Sequence, residues 1–435
     1  MPASFHSAPD QNYTVSNQPL IYTLKHDTSL PTGHKFIVRV LKNTNEVAKL
    51  YLTANSASRA HFDLSQVVRN LVAQDTENAA GTSAVFDINT ACTYSQQGID
   101  KFQVKVGTYS DGYGEVLDEA TKNIFLVRGA FQTRDGLHPS FSEHYAVDAM
   151  AKTWLTEMPM RNSGVGYVGN YIDVHGMDAD EKAVMAFIHD ETVNVGGTVT
   201  NLRYTLWEDE FTPLTVHSVQ IDISGGLDAT LTNYRQKLLY AAMGPAQVDA
   251  LLPVGHKLAD YPAWKFYTVD PTTSGNQQRG ARLKVHRYCG VYKNDRATLA
   301  FANSKGGWDY LKFDGRMDKE QTVQNKTYNK LPASWNGNEY DLPTYARSRQ
   351  AYQITSTYEY TLKRLGMSKE EYVLLQQMMK SHNVMMRLTG DAALDDRNVW
   401  LPVTITGKMQ SIKDQHSSTL FDVTVKVQLA QDERC

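Results

Sequence analysis

The sequence of 435 residues predicts a mainly β protein. Tyr is abundant, at 24 residues, and Thr, Asn and Ser recur throughout, a mix that favours strands joined by polar loops over helices. Short apolar runs alternate with polar residues at period two in many places. Gly-Gly pairs at 196–197, 225–226 and 306–307 supply the positive φ angles of tight hairpins. In full, the expected fold is an N-terminal immunoglobulin/fibronectin-like sandwich followed by two further β-rich domains with few short helices. The length suits two to four domains at roughly 100–200 residues each.

Residues 1–17 are polar and read as an N-terminal arm. Residues 18–128 carry the sandwich. Its strands are expected at Leu20–Leu24, Lys35–Leu41, Ala48–Leu52, His61–Ser65, Ala84–Ile88, Lys101–Val106 and Asn123–Val127, with a short helix over Gln66–Ala73. Phe102, Val104 and Val106 alternate with Gln103 and Lys105, as one buried strand face requires. Seven strands in about 110 residues suit a sandwich. The Cys…Trp…Cys spacing of antibody domains is missing, so only the architecture is expected.

Residues 129–154 form a connector, with a helix expected around His144–Trp154. Residues 155–315 form a middle β-rich domain. Val199–Trp207, Val216–Ile223 and Lys284–Tyr292 read as strands, Asn233–Ala242 as a helix, and Asp180–His189 as either. Thr298–Asn303 and Trp308–Phe313 read as a hairpin over Ser304-Lys305-Gly306-Gly307, with both glycines at positive φ.

Residues 316–350 are polar and aromatic, an extended arm. Residues 351–435 form a C-terminal β-rich domain with one helix. Tyr352–Leu362 reads as a long strand. Ser368 and Glu371 make a capping box, opening a helix that runs to about His382 with Tyr372, Leu375, Met378 and Met379 inward. Val384–Leu388, Trp400–Thr406 and Leu420–Leu429 close the chain. The last strand sets Phe421, Val423, Val425, Val427 and Leu429 against Asp422, Thr424, Lys426 and Gln428, so it is expected to be central or interface-paired in the last domain.

The charges nearly balance, at 44 Lys+Arg against 47 Asp+Glu, net −3, with no block of like charge. That argues against broad electrostatic binding to nucleic acid or anionic membrane. Neither a signal peptide nor a run of about 18 apolar residues is evident. Cys92, Cys289 and Cys435 are far apart, without CxxC or Cys/His spacing, and point to free thiols rather than a zinc site or disulfide framework, with a single Cys92–Cys289 bridge as the alternative. No cofactor is expected.

Few motifs suggest chemistry. Gly164-Val165-Gly166-Tyr167-Val168-Gly169 is a literal GxGxxG, with Glu191 near the offset of a ribose-binding acid. A dinucleotide site needs a strand before the glycines and a helix after them. Neither is expected, so the run reads as a loop entering a strand. Asp173 with His175, and His189 with Asp190 and Glu191, offer no three converging ligands at a known spacing. Asp391, Asp395 and Asp396 fail the EF-hand pattern. Neither GxSxG nor HExxH occurs, and the chain is not expected to be an enzyme. The arm interleaves Tyr328, Trp335, Tyr340 and Tyr345 with Lys326, Lys330, Arg347 and Arg349. Such residues stack on sugars or bases, and they also dominate protein interfaces.

Two stretches carry a family resemblance. One is Asn17–Tyr22 with the Phe36–Leu41 strand and Ala60–Ser65. The other is Leu299–Phe313, a strand ending in Asn303, a Gly-Gly turn and a returning Trp308-Asp309-Tyr310 strand. Together with Trp400-Leu401-Pro402-Val403 they resemble β-rich virion and tail proteins of tailed phages and prophages of Bacteroidetes, including the crAss-like group. Lys305 departs from the small or apolar residue expected at that turn. The resemblance implies a virion structural protein, a tail or collar component forming a homo-oligomeric ring beside other tail or portal proteins. It implies synthesis in the host cytoplasm and no catalytic residues. The interface residues expected are Trp308, Tyr310, Tyr328, Trp335, Tyr340 and Tyr345, with the arm as main inter-subunit contact. A receptor- or glycan-binding tail accessory is the alternative, and a cell-wall hydrolase a third reading.

Overall fold

A computed structural model of the chain describes residues 3–9, 13–26, 33–76, 85–110, 112, 114–129, 154–162, 170–189, 199–221, 238–288, 296–329, 334–336, 339–341, 349–389, 399–407, 420–430 and 433–434. It is mainly β, as the sequence predicts. Contacts divide the chain into two compact units. The first is Met1–Gly290 with Ala302–Asp309, and the second is Val291–Phe301 with Tyr310–Cys435.

The first unit begins with β1 (Ala3–Ser7), β2 (Tyr13–Val15), β3 (Ile21–His26), β4 (Lys35–Lys42), β5 (Asn45–Thr53), β6 (Arg59–Asp63), helix α1 (Ser65–Val68), β7 (Cys92–Tyr94), β8 (Ile99–Ser110) and β9 (Gly114–Val127). One sheet has the order β1-β3-β6 and another β2-β9-β8-β4-β5. Alternate residues face inward. Phe36, Val38 and Val40 of β4 and Phe102, Val104 and Val106 of β8 join Tyr22, Leu24 and Phe62 in one core, making a two-layer sandwich. The outer face carries charge instead: Arg39 spans Glu46 at 2.5 Å and Asp118 at 3.2 Å, and Lys49 reaches Glu115 at 2.6 Å. Of the run expected as a strand at 84–88, the described residues are not a strand. Val85–Asp87 is a 3₁₀ turn that buries Val85 and Phe86, the latter against Trp308. The helix expected over Gln66–Ala73 is confined to α1.

The unit continues with β10 (Met160–Asn162), β11 (Asn170–Met177), β12 (Val184–Ile188), β13 (Asn201–Trp207), β14 (Pro213–Gln220), β15 (Leu238–Ala242), helix α2 (Pro245–Leu251), β16 (Phe266–Thr272) and β17 (Arg282–Arg287). A six-stranded sheet, β10-β11-β17-β16-β13-β14, lies beside a three-stranded one, β12-β15-β7. Side chains of the larger sheet bond the smaller one's continuation: Tyr204 Oη donates to the Ala242 carbonyl at 3.1 Å, and Tyr267 Oη to that of Met243. Two expectations change here. Leu238–Ala242 is a strand, not the end of a helix, because all five residues are buried and an amphipathic helix would expose some. The ambiguous 178–189 stretch holds a strand, β12.

The second unit is built on β18 (Arg296–Ala302), β19 (Trp308–Phe313), β20 (Asp318–Asn329), β21 (Ser334–Asn336), β22 (Glu339–Asp341), β23 (Arg349–Ser368), helix α3 (Lys369–Lys380), β24 (Val384–Thr389), β25 (Leu401–Ile405), β26 (Leu420–Leu429) and β27 (Glu433–Arg434). Its main sheet runs β19-β18-β24-β25-β26-β23-β20, with β27 also on β23. As expected, β26 is central, and Val423, Val425 and Val427 are buried. The capping box forms: Glu371 N donates to Ser368 Oγ at 3.2 Å, and Ser368 N to Glu371 Oε2 at 2.9 Å. The helix ends at Lys380 and buries Leu374, Leu375 and Met378, a face slightly rotated from the expected one.

Candidate assembly surface

The stretch expected as an extended arm contains one strand of a ribbon, β20. All twelve residues of β20 pair with β23, from Asp318 opposite Thr361 to Asn329 opposite Arg349. The sequence favours this locally, because Thr and Tyr occur on both strands, with Val323 on one and Ile354 on the other. Strand β26 pairs with β23 only from Glu359 onward, and β27 only at Thr355 and Ser356. Among the described residues, Arg349–Ile354 therefore has β20 as its one neighbour. The ribbon there is exposed, and so are its large apolar side chains: Val323, Tyr328, Tyr352 and Ile354.

The ribbon holds its shape by local contacts. Tyr328 and Tyr352 meet with ring centroids 6.2 Å apart. Tyr328 Oη donates to Gln350 Oε1 at 3.0 Å, and Arg349 Nε to Thr327 Oγ1 at 2.8 Å. The register shifts between Lys326 and Thr327, where Tyr352 is the extra residue, a bulge that increases local twist. Toward the sheet, the Lys319 ammonium lies 4.8 Å from the Tyr358 ring centroid. A two-stranded ribbon is marginal in water by itself, and exposed aromatics on it gain most when a partner covers them.

The other expected interface residues divide. Trp335 and Tyr340 are opposed in the short hairpin of β21 and β22, and Tyr345 lies outside the described residues. Trp308 and Tyr310, expected to meet a neighbouring chain or domain rather than solvent, are wholly buried within the chain. Trp308 meets Phe86 edge-on at 5.1 Å, and Tyr310 meets Trp400 at 6.0 Å. Every residue of β19 is buried, so its two apolar faces are both used within one subunit.

The hairpin turn explains why Lys305 is tolerated. Its ammonium donates to the Thr156 carbonyl at 3.1 Å and lies 3.8 Å from Glu157, while Asn303 Nδ2 donates to the Leu155 carbonyl at 2.8 Å. Asp309 accepts the Thr156 hydroxyl and, at 2.9 Å, the Glu157 amide. Gly306 has φ +88°, as expected; Gly307 is not at positive φ. Its glycine is required instead by space, since a Cβ there would sit 2.1 Å from the Leu155 carbonyl oxygen.

The remaining motifs do not converge on chemistry. The GxGxxG run and the Asp391, Asp395, Asp396 loop lie outside the described residues. The strands flanking the glycines, β10 and β11, pair antiparallel with each other, and the segment after the glycines is a strand rather than a helix. Met160–Asn162 is thus a strand, contrary to expectation. Asp173 faces His286 Nε2 at 2.6 Å and Arg161 at 3.6 Å. Burial opposes its charge, yet the His286 hydrogen bond and the nearby cations hold the carboxyl below its ordinary value. His189 is buried with Nε2 on the Val199 carbonyl at 3.0 Å. Among the described residues no group of three His, Cys, Asp or Glu side chains is arranged to hold a metal ion, and no helix is long and apolar enough to cross a membrane.

Two features had no signal in the sequence. One is the cage in which Lys284 lies 4.4 Å from the Phe266 centroid and 4.8 Å from that of Tyr171, with its ammonium on Glu210 at 3.1 Å. The cage's own lysine fills it. The other is the buried carboxylate of Asp75. No protein-family model matches the sequence, and a search of curated proteins finds no match.

Proposed function

We propose that this chain is a structural subunit of a bacteriophage virion, a tail or collar component that assembles with itself into a ring. The observation carrying the self-assembly reading is the β20–β23 ribbon, which presents Val323, Tyr328, Tyr352 and Ile354 to solvent. Such side chains on a thin ribbon favour burial against a neighbouring subunit. The virion assignment rests on the resemblance at Leu299–Phe313. The test is the size and shape of the purified protein, by light scattering and negative-stain electron microscopy. Closed rings are expected, and the double substitution Tyr328→Ser with Tyr352→Ser is expected to reduce them. A monomer at all concentrations overturns the reading.

A second reading is favoured by the Tyr328–Tyr352 contact, since two exposed rings of this kind offer stacking faces to a sugar. On that reading the chain is a glycan-binding tail accessory. A monomer that binds host glycans, and loses them in the same double variant, is its expected signature.

A further inference from the structure

Strand β20 ends its sheet. Strand β23 holds one edge, and among the described residues no strand holds the other. The open edge is 12 residues long and contains no proline. An edge of this kind, with a row of N–H and C=O groups lacking a ladder partner, is a template for another strand. We infer that this edge takes β20 of a second copy, antiparallel, about a two-fold axis at Val323. The inference rests on reading the chain as a self-assembling subunit.

Charge selects the register. With Val323 opposite its own copy, Thr322 faces Gln324, Gln321 faces Asn325, Glu320 faces Lys326 and Lys319 faces Thr327. The Glu–Lys pair occurs on both sides of the axis, and no like charges are directly opposed. A slip of one residue in one direction sets Lys319 against Lys326 twice. Centring on Thr322 instead sets Lys326 against Asp318, whose carboxylate already holds Arg316 at 2.8 Å and Lys363 at 3.3 Å. Slips the other way lose the Glu–Lys pair.

The chain's own pairing supports the same register. Glu320 lies opposite Glu359, an unfavourable neighbour, and Lys426 sits on Glu359 at 2.7 Å. The partner's Lys326 brings a second cation to these two carboxylates. Lys326 itself stands opposite Gln353, with no ion-pair partner among the described residues. On the other face of the ribbon, Val323 is 52 % exposed and Ile354, diagonal to it across the ladder, 36 %. Joining two edges at Val323 makes one apolar strip of Ile354 and Val323 followed by the same two residues of the copy. A contact of this symmetry joins copies in pairs, so closing a ring takes a further surface.

The test combines charge reversal with cross-linking. Glu320→Lys and Lys326→Glu each place like charges opposite at two points, and each is expected to weaken pairing about tenfold. The double variant E320K/K326E is expected to restore it. In a background with Cys289→Ser and Cys435→Ser, Val323→Cys is expected to form a disulfide-linked dimer on mild oxidation, because directly opposed residues lie within disulfide reach. Gln321→Cys, which faces Asn325, is expected not to. Oligomers that ignore both reversals and fail to cross-link through Val323→Cys overturn the edge contact and leave self-assembly standing. A monomer throughout overturns both.

Discussion

The Tyr240 hydroxyl donates to Asp75 Oδ2 at 2.9 Å, tying strand β15 to a segment some 165 residues earlier. Asp75 is buried, and its carboxylate also accepts Ser95 Oγ at 2.5 Å and the amides of Gln96 at 3.0 Å, Gln97 at 2.6 Å and Gly98 at 3.0 Å. The turn at 95–98 wraps this one side chain, and Gly98 leaves room for it, since a Cβ there would sit 2.6 Å from Asp75 Oδ2.

Replacing Asp75 with Ala removes the acceptor these donors share, of which Ser95 Oγ, Gly98 N and Tyr240 Oη are buried. Each buried group left without a partner costs about 1–3 kcal/mol. Asp75→Ala is expected to lower unfolding free energy by about 3 kcal/mol or more, and Tyr240→Phe by about 1 kcal/mol. Urea denaturation followed by fluorescence measures both. Equal, small effects would mean the carboxylate is not the hub described.

At the hairpin, Gly307→Ala is expected to cost about 2 kcal/mol or more, because its methyl meets a carbonyl and not a flexible side chain. The comparison variant is Ser304→Ala, which removes a hydroxyl bonded to Glu157 and adds no volume. A thermal melt in which Ala at 307 is the milder of the two contradicts this packing.

Val425→Asp puts a charge into the middle of the central strand β26, where Val425 is 4 % exposed and opposite Leu362. A loss of about 3 kcal/mol or more is expected, or failure to accumulate as folded protein. Val425→Ile, which keeps the apolar face, is the folded control, and unchanged melting of the Asp variant counts against the assignment.

Cys92 is a buried free thiol, and burial pushes its ionisation well above the ordinary range. With Cys289 and Cys435 replaced by Ser, native protein at pH 8 is expected to leave Cys92 unmodified by a thiol reagent, with full reaction in denaturant. Because the folded pKa is raised, this contribution to stability is complete below the ordinary thiol value of about 8.5 and declines as pH rises above it. Cys92→Ala is expected to flatten that alkaline decline. A wild-type profile with no slope there refutes the linkage.

Much of the β architecture was legible because alternation is a local signal. Phe102, Val104 and Val106, and likewise Val423, Val425 and Val427, announce their buried faces without reference to any partner. The capping box at Ser368 and Glu371 is local too. What failed was decided at long range. Leu238–Ala242 reads as helix by composition and becomes a strand because β12 and β7 flank it on both sides. Phe86 reads as a strand residue because nothing nearby reveals Trp308. The exposed aromatics of the arm were visible as residues, but the 12-residue ladder that displays Tyr328 beside Tyr352 depends on a register no single segment contains.

The hairpin tip has a consequence for biosynthesis. Ala302–Asp309 groups with the unit that otherwise ends at Gly290. Until the ribosome has made those eight residues, the Phe86 ring lacks Trp308 and the turn at 155–157 lacks Asn303, Lys305 and Asp309. The first unit therefore cannot finish folding as its own last strand emerges, and a fragment cut at Gly290 is a chain with its keystone left out.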